Sequence, residues 1–299
     1  MENFIANIKE QFKRADTVLR FIYVNAAIFL ILALIGVILQ LFNRSGDILF
    51  QQLALPASFS RFLFQPWSII SYMFMHAGIL HLLFNMLWLY WFGQIFLHFF
   101  SAIHLRGLYF LGGICGGLLY MVSYNIFPYF APVIEVSTMV GASASVLAIV
   151  IATAYKEPNY PIRLFLLGTL RLKYLAAFAI ISDLLFITSA NAGGHIAHLG
   201  GALAGLWFAS SLSKGKDRTR WINNVLNGIV RFFTSPLKKR VKKPKMKVYK
   251  GKRQQDYDYN AKKKQESAEV DRILEKLKKS GYASLTEEEK KSLFDASKK

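Results

Sequence analysis

Long apolar stretches recur along the first two thirds of the chain, separated by short polar segments. A hydrocarbon core about 30 Å thick needs roughly 20 apolar residues in a helix that rises 1.5 Å per residue. Stretches that approach this length lie at 20–42, 66–97, 105–126, 138–155, 173–189 and 195–213. The pattern predicts an all-α polytopic membrane protein with six transmembrane helices. Segment 43–65 is rich in Phe and Leu but too broken to span, so it is predicted to be an interfacial loop.

Charge is distributed unevenly between this apolar body and the tail that follows it. Residues 1–213 contain 11 Lys/Arg and 7 Asp/Glu, whereas residues 214–299 contain 26 and 11, so the tail carries most of the net charge of +19. Basic residues also precede the first stretch and lie between the fourth and fifth. Because Lys and Arg concentrate in cytoplasmic loops, both termini are predicted to be cytoplasmic, in the plasma (inner) membrane if the source is bacterial.

The same patterns predict four segments along the chain. They are a cytoplasmic N-terminal segment (1–19), a six-span body (20–213), a basic juxtamembrane linker (214–265) and a small C-terminal helical pair (266–299). Apolar residues at helical spacing from Trp221 to Phe233 predict a helix lying on the inner membrane surface. The basic run after it predicts binding to anionic lipid, with no nucleic acid expected. Thr286 and Glu289 have the spacing of a helix capping box.

Polar residues within the apolar body collect near one side of the membrane. With the N-terminus inside, the second, fourth and sixth stretches all begin on the outer side. The polar residues at these beginnings are His76, His81, Asn85, Ser143, Ser145, His195 and His198. A Ser beside a His base can act as a nucleophile near neutral pH. A His N–H, an Asn amide and the N–H groups at a helix N-terminus can stabilise the negative charge that follows. These residue types predict a serine hydrolase site.

Three short motifs in order resemble the rhomboid family of intramembrane serine proteases. They are Gly141-Ala142-Ser143 opening the fourth stretch, His81 with Asn85 four residues later in the second, and His198 followed by Gly201 and Gly205 in the sixth. The resemblance covers roughly residues 15–213. The basic tail lies outside it.

The resemblance implies a Ser-His dyad without a triad carboxylate. Ser143 is then the nucleophile and His198 the base, and the oxyanion hole consists of His81, Asn85 and the Ser143 backbone N–H. Possible site-lining residues are His76, Ala144 and His195. His195 competes for the role of base, but only His198 has glycines three and seven residues later. The implied substrates are transmembrane proteins, cleaved near the outer side, with no metal and no cofactor.

Three residues depart from this picture or stand apart from it. Many family members have an aromatic residue four positions after the Ser to support the His ring, and here that residue is Leu147. Asp183 is a carboxylate inside the fifth stretch, and such groups are functional candidates by default. No motif or spacing links Asp183 to the dyad, so it is predicted to have a neutral or hydrogen-bonded packing role. Ser145 is predicted to bond a backbone carbonyl.

Other function classes fit the sequence less well. A metal hydrolase could use the histidines at 76, 81, 195 and 198, but no H-E-x-x-H motif is present and no carboxylate stands beside them in sequence. A transporter would be expected to have helices broken near mid-membrane. A rhomboid-like pseudoprotease that only binds membrane helices should have lost Ser143 or His198.

Overall fold

A computed structural model describes residues 10–164, 168–234 and 253–297. These residues fall into two compact units, one ending at residue 234 and the other beginning at residue 253. Both units are mainly helical. Most of the basic run predicted to bind lipid lies at 235–252, outside the described residues, as do residues 1–9 of the predicted N-terminal segment.

The larger unit is built of helices joined by short turns and two small strand pairs. Its helices are α1 (Thr17–Leu41), α2 (Asp47–Leu53), α3 (Phe59–Phe64), α4 (Ser68–Ser71), α5 (Ile79–Phe99), α6 (Ala102–Ile126), α7 (Ser143–Lys156), α8 (Leu172–Leu185), α9 (Ala192–Leu212) and α10 (Arg220–Thr234). Its antiparallel strand pairs are β1 (Leu55–Pro56) with β2 (Thr138–Met139), and β3 (Pro161–Leu164) with β4 (Gly168–Arg171).

Each of the six predicted stretches coincides for most of its length with one main helix, namely α1, α5, α6, α7, α8 or α9, and the second stretch also contains the short helix α4. By length and composition, three helices of the described chain could cross a membrane: α1, α5 and α6. Helices α7 and α8 have 14 residues each, which is short for a hydrocarbon core about 30 Å thick. The helices thus support a helical membrane protein, and the count of six spans stays a prediction.

The second and fourth stretches are less regular than their apolar character predicts. In the second, α4 and a 3₁₀ turn at Tyr72–Phe74 precede an extended backbone at Met75 and Gly78, and α5 begins only at Ile79. In the fourth, β2 precedes α7 and pairs with β1 from the predicted interfacial loop. The pairing fixes that loop to the segment before α7. It was not predicted, because a two-residue strand leaves no periodic signal in the sequence.

The centre of the larger unit is formed by α6, α7 and α9, which approach one another at backbone distance. A Cβ atom added at Gly201 or Gly205 of α9 would collide with the carbonyl oxygen of Ala144 or Ala148 on α7. A Cβ at Gly200 would lie 2.6 Å from the carbonyl oxygen of Cys115 on α6. Small residues therefore allow close packing, as is usual for membrane helices, and every residue of α7 from Ala144 to Ala154 is buried.

Outward faces of the larger unit are strongly apolar. On α1, Leu30 and Leu34 are more than half exposed, as expected for side chains that meet lipid. Helix α10 has an exposed apolar stripe of Trp221, Val225 and Ile229, whereas Asn223 is buried and accepts a hydrogen bond from Nε of Arg106 on α6 (2.8 Å). The helix predicted between 221 and 233 is therefore present and contacts α6, and its position on the inner membrane surface stays a prediction.

The smaller unit contains two helices, α11 (Arg253–Ser280) and α12 (Glu287–Ser297), joined by a 3₁₀ turn at Tyr282–Ser284. Helix α11 starts at Arg253, before the predicted boundary at 266, because the Arg, Gln, Ala and Lys residues among 253–265 are good helix formers. Gly281 follows α11 with a φ of 75°, a conformation that favours glycine. The capping box is present, since the Thr286 N–H donates to Glu289 (2.9 Å) and the Glu289 N–H to Thr286 Oγ1 (3.3 Å).

Candidate active site

A cavity of about 660 Å³ opens between α5, α7, α8 and α9. The polar side chains in its wall include those of His81, Asn85, Ser143, Asp183 and His198. Four of these five are the predicted nucleophile, base and oxyanion-hole side chains. Residues up to 117 positions apart in sequence therefore line one cavity, and Asp183 lies among them.

Ser143 is the first residue of α7, so it lies where a helix has unpaired N–H groups. The preceding turn needs a glycine, because Gly141 has a φ of 132° and its N–H donates to the carbonyl of Tyr72 (2.9 Å). The Ser143 Oγ has no hydrogen-bond partner within 3.5 Å among the described residues. Catalytic hydrogen bonds often shorten only when substrate binds. The serine hydroxyl thus faces the cavity beside a positively polarised helix end.

His81 and Asn85 lie one turn apart on α5, with their side chains in the same cavity. Nδ1 of His81 accepts a long hydrogen bond from the Ala77 N–H (3.4 Å), so a neutral ring carries its proton on Nε2. A Cβ atom placed on Gly141 would be 3.0 Å from Nε2 of His81 and 3.7 Å from Oγ of Ser143. The His81 ring and the Ser143 hydroxyl therefore both lie next to Gly141. One amide N–H of Asn85 donates to the carbonyl oxygen of His81 (2.9 Å), and the side chain has a second amide N–H that can donate to another acceptor.

His198 reaches the cavity from α9, and its ring is bound on the other side by a carboxylate. Oδ1 of Asp183 lies 2.9 Å from Nδ1 of His198 and 2.8 Å from Nδ1 of His195. Asp183 is thus hydrogen-bonded, which is one of the two states predicted for it, but its partners are the two candidate histidines, whereas the resemblance implied a site without a carboxylate. The available signal was the i, i+3 spacing of the two histidines, which puts them on one helix face where a single acceptor can serve both.

The three residues predicted as possible lining do not form the cavity wall. His76 is buried behind His81, with the ring centroids 5.2 Å apart. Ala144 is buried under the α9 glycines, and His195 is turned toward Asp183. Ser145 is also not as predicted: its buried Oγ has no partner among the described residues. The reason is that the carbonyl four residues back belongs to Gly141, which precedes the helix.

Asp183, His195 and His198 also form a group that could hold a metal ion. Their three potential ligand atoms lie within 4.8 Å of one another. No carboxylate stands beside these histidines in the sequence, but the fold places Asp183 next to two of them. Carboxylate-to-imidazole distances of 2.8 and 2.9 Å are normal hydrogen-bond lengths, so two N–H donors account for the arrangement without an ion.

The apolar helical body with a polar cavity defines the class as a helical integral membrane protein. Residues 63–215, about half of the chain, match the Rhomboid domain. The chain therefore belongs to the rhomboid family, a family of intramembrane proteases. Residues 254–299 match a second family, described as a family of unknown function (DUF6576). The chain matches none of the curated proteins with which it was compared.

Proposed function

We propose that the chain is an intramembrane serine endopeptidase that cleaves transmembrane segments of other proteins near the outer side of the membrane. The observation that carries this proposal is that Ser143, at the N-terminus of α7, faces the same cavity as His81, Asn85 and His198. Family membership supports the reaction class, and the cavity supports the choice of residues.

Catalysis follows from the chemistry of these groups. The Ser143 Oγ attacks the carbonyl carbon of the scissile peptide bond while Nε2 of His198 takes the hydroxyl proton. The resulting oxyanion is stabilised by Nε2–H of His81, the free amide N–H of Asn85 and the Ser143 backbone N–H. The C–N bond then breaks as His198 returns the proton to the departing amine. Water, deprotonated by the same histidine, hydrolyses the acyl-enzyme.

The proposal includes a topology of six spans with both termini in the cytoplasm. In that topology α5, α7 and α9 begin on the outer side, so the cavity opens a few residues below the outer surface. The basic tail then lies at the inner leaflet, where anionic lipid attracts Lys and Arg by about 1 kcal/mol for each residue near the surface.

Substrate choice follows from the position of the cavity between helices. A transmembrane substrate reaches such a cavity sideways from the bilayer, and its peptide bonds are closed to attack while they are hydrogen-bonded in a helix. The preferred substrates are therefore single-span proteins with Gly, Ala, Ser or Pro near the outer end of the span, where Gly, Pro and, to a lesser extent, Ser lower the cost of unwinding.

The test is cleavage of a single-span substrate by the full chain reconstituted in liposomes. Replacing the small residues near the outer end of the span with Leu should reduce cleavage steeply, and mass spectrometry should map the cut near the outer boundary. The same Leu replacements at the cytoplasmic end are the matched control and should have little effect. Unchanged cleavage, or a cut near the cytoplasmic end, would contradict the proposal.

A metal hydrolase is the second candidate, favoured by the cluster of Asp183, His195 and His198. The two candidates differ in their response to a chelator. Serine chemistry should be unaffected by prolonged dialysis against EDTA, whereas metal chemistry should be lost and then restored by added Zn²⁺.

A further inference from the structure

The carboxylate of Asp183 is shared by two histidines from the next helix. An ionised carboxylate only accepts hydrogen bonds, so Nδ1 of His195 and Nδ1 of His198 both donate to Oδ1. A neutral imidazole has one N–H, which leaves the Nε2 of each ring as an acceptor. For His198 this is the tautomer that a general base needs, because Nε2 is then ready to take a proton.

Burial makes this pairing strong and specific. Asp183 is 6% exposed, and α8 has few other buried residues, among them Leu172 and Ala176. A buried carboxylate is costly unless it is hydrogen-bonded, so the two imidazole N–H groups stabilise it where it lies. Since Asp183 also lines the cavity, its negative charge lies beside the histidine that becomes positive during the reaction.

The ring of His198 has no other hydrogen-bond partner among the described residues. Leu147, which lies one turn after Ser143 and lines the same cavity, has neither a polar group nor an aromatic face. Orientation of the His198 ring therefore depends on α8 rather than on α7. His195 does not line the cavity, and its contact with Oδ1 holds the carboxylate from the far side.

We infer that Asp183 is a positioning residue for His198 and that His195 holds Asp183 in place. The inference rests on the proposed serine protease function. The carboxylate fixes the tautomer and direction of the His198 ring and stabilises the imidazolium that forms when the ring takes the proton from Ser143. The site then works as a Ser-His-Asp arrangement with a second histidine behind the carboxylate.

The test compares Asp183→Asn with the parent chain, using a fluorophosphonate probe that reacts with an activated serine. The labelled fraction counts folded sites, and the labelling rate measures serine reactivity. We expect Asp183→Asn to keep the labelled fraction but to lower both the labelling rate and kcat by roughly 10²–10⁴-fold, with KM nearly unchanged. Asp183→Glu should recover part of this loss, because it restores the charge. His195→Ala should lower the labelling rate by less than about tenfold, since His198 keeps its hydrogen bond to the carboxylate.

The matched control is Asp217→Asn, which removes a carboxylate charge that also faces a histidine. Oδ2 of Asp217 lies 3.7 Å from Nε2 of His104, outside the cavity wall. This variant should react at the parent rate.

Several outcomes would overturn the inference. If Asp183→Asn loses labelled fraction while the remaining sites react at the parent rate, Asp183 only tethers α8 to α9. A parent rate in both Asp183 variants would show that the carboxylate is not needed. Inhibition of the parent by EDTA with recovery in Zn²⁺ would make the three residues a metal site instead. A parent chain that neither reacts with the probe nor cleaves substrate would overturn the proposed function along with the inference. If the parent is active, a negative result in the Asp183 variants contradicts only the role inferred for Asp183.

Discussion

The region around the cavity and the C-terminal helical unit are both helical, yet they are stabilised in different ways. Around the cavity, backbones meet through glycines, and the hydrogen bonds of Asp183 and Asn85 are largely buried. In the C-terminal unit, Ile273 and Leu285 are buried, and ion pairs such as that of Lys276 with Glu289 (2.8 Å) lie near the surface. Single changes should therefore be costly near the cavity and mild in the C-terminal unit.

The largest difference between the two regions is expected in kcat, when a polar side chain of each region is replaced. Asn85→Ala removes one of the proposed oxyanion donors and should lower kcat by about 10²–10³-fold while leaving weak, measurable cleavage. Glu289→Gln in the C-terminal unit should leave kcat unchanged. The comparison requires purified full-length variants assayed on the same substrate. Complete loss in a folded Asn85→Ala variant, equal to that of Ser143→Ala, would contradict the division of roles.

A smaller difference is expected between two glycines of the larger unit, one near the cavity and one on α10. A methyl group at Gly201 would collide with the carbonyl oxygen of Ala144, whereas no described residue outside the local helix backbone lies within 4 Å of a Cβ at Gly228. Gly201→Ala should destabilise the protein by about 1–3 kcal/mol, the usual cost of overpacking. Gly228→Ala should be neutral or stabilising by roughly 0.5–1 kcal/mol, because alanine favours a helix. Thermal denaturation of the two variants in the same detergent measures the difference, and equal melting temperatures would argue against the close packing of α7 and α9.

The smallest effect is expected in the C-terminal unit and depends on pH. The hydrogen bond from Lys276, together with that from the Thr286 N–H, lowers the pKa of Glu289 below its ordinary value. A carboxyl group with a lowered pKa stabilises the fold above its unfolded pKa, about 4.3, and loses that effect as the pH falls through its folded pKa. Hydrogen exchange of residues 286–297 in the full chain, corrected for intrinsic rates, should therefore show weaker protection below about pH 4.

Two variants sharpen that measurement. Glu289→Gln should weaken protection at neutral pH and remove most of its acid dependence. Glu288→Gln is the matched control, since Glu288 has no ion pair or hydrogen-bonded side chain among the described residues, and it should behave like the parent. Identical protection in all three chains at every pH would exclude a role for the Glu289 ion pair.

The sequence was sufficient to predict the features that depend on local pattern. Apolar stretches predicted the helices of the body, and the spacing of Thr286 and Glu289 predicted the cap of α12. The contacts of Asp183 could not be predicted, because they depend on how α8 lies against α9 and on which face of each helix turns inward. The pairing of β1 with β2 was missed for a similar reason, since it joins segments more than 80 residues apart that are too short to show periodicity.

The central claim is that Ser143 is an activated nucleophile in a cavity shared with His198. The most direct measurement is labelling of the purified chain with a fluorophosphonate probe, followed by peptide mapping. The label should be found on Ser143, should be absent from Ser143→Ala, and should be nearly abolished in His198→Ala. Labelling that persists in Ser143→Ala, or a folded and otherwise intact parent that does not react with the probe, would contradict the account.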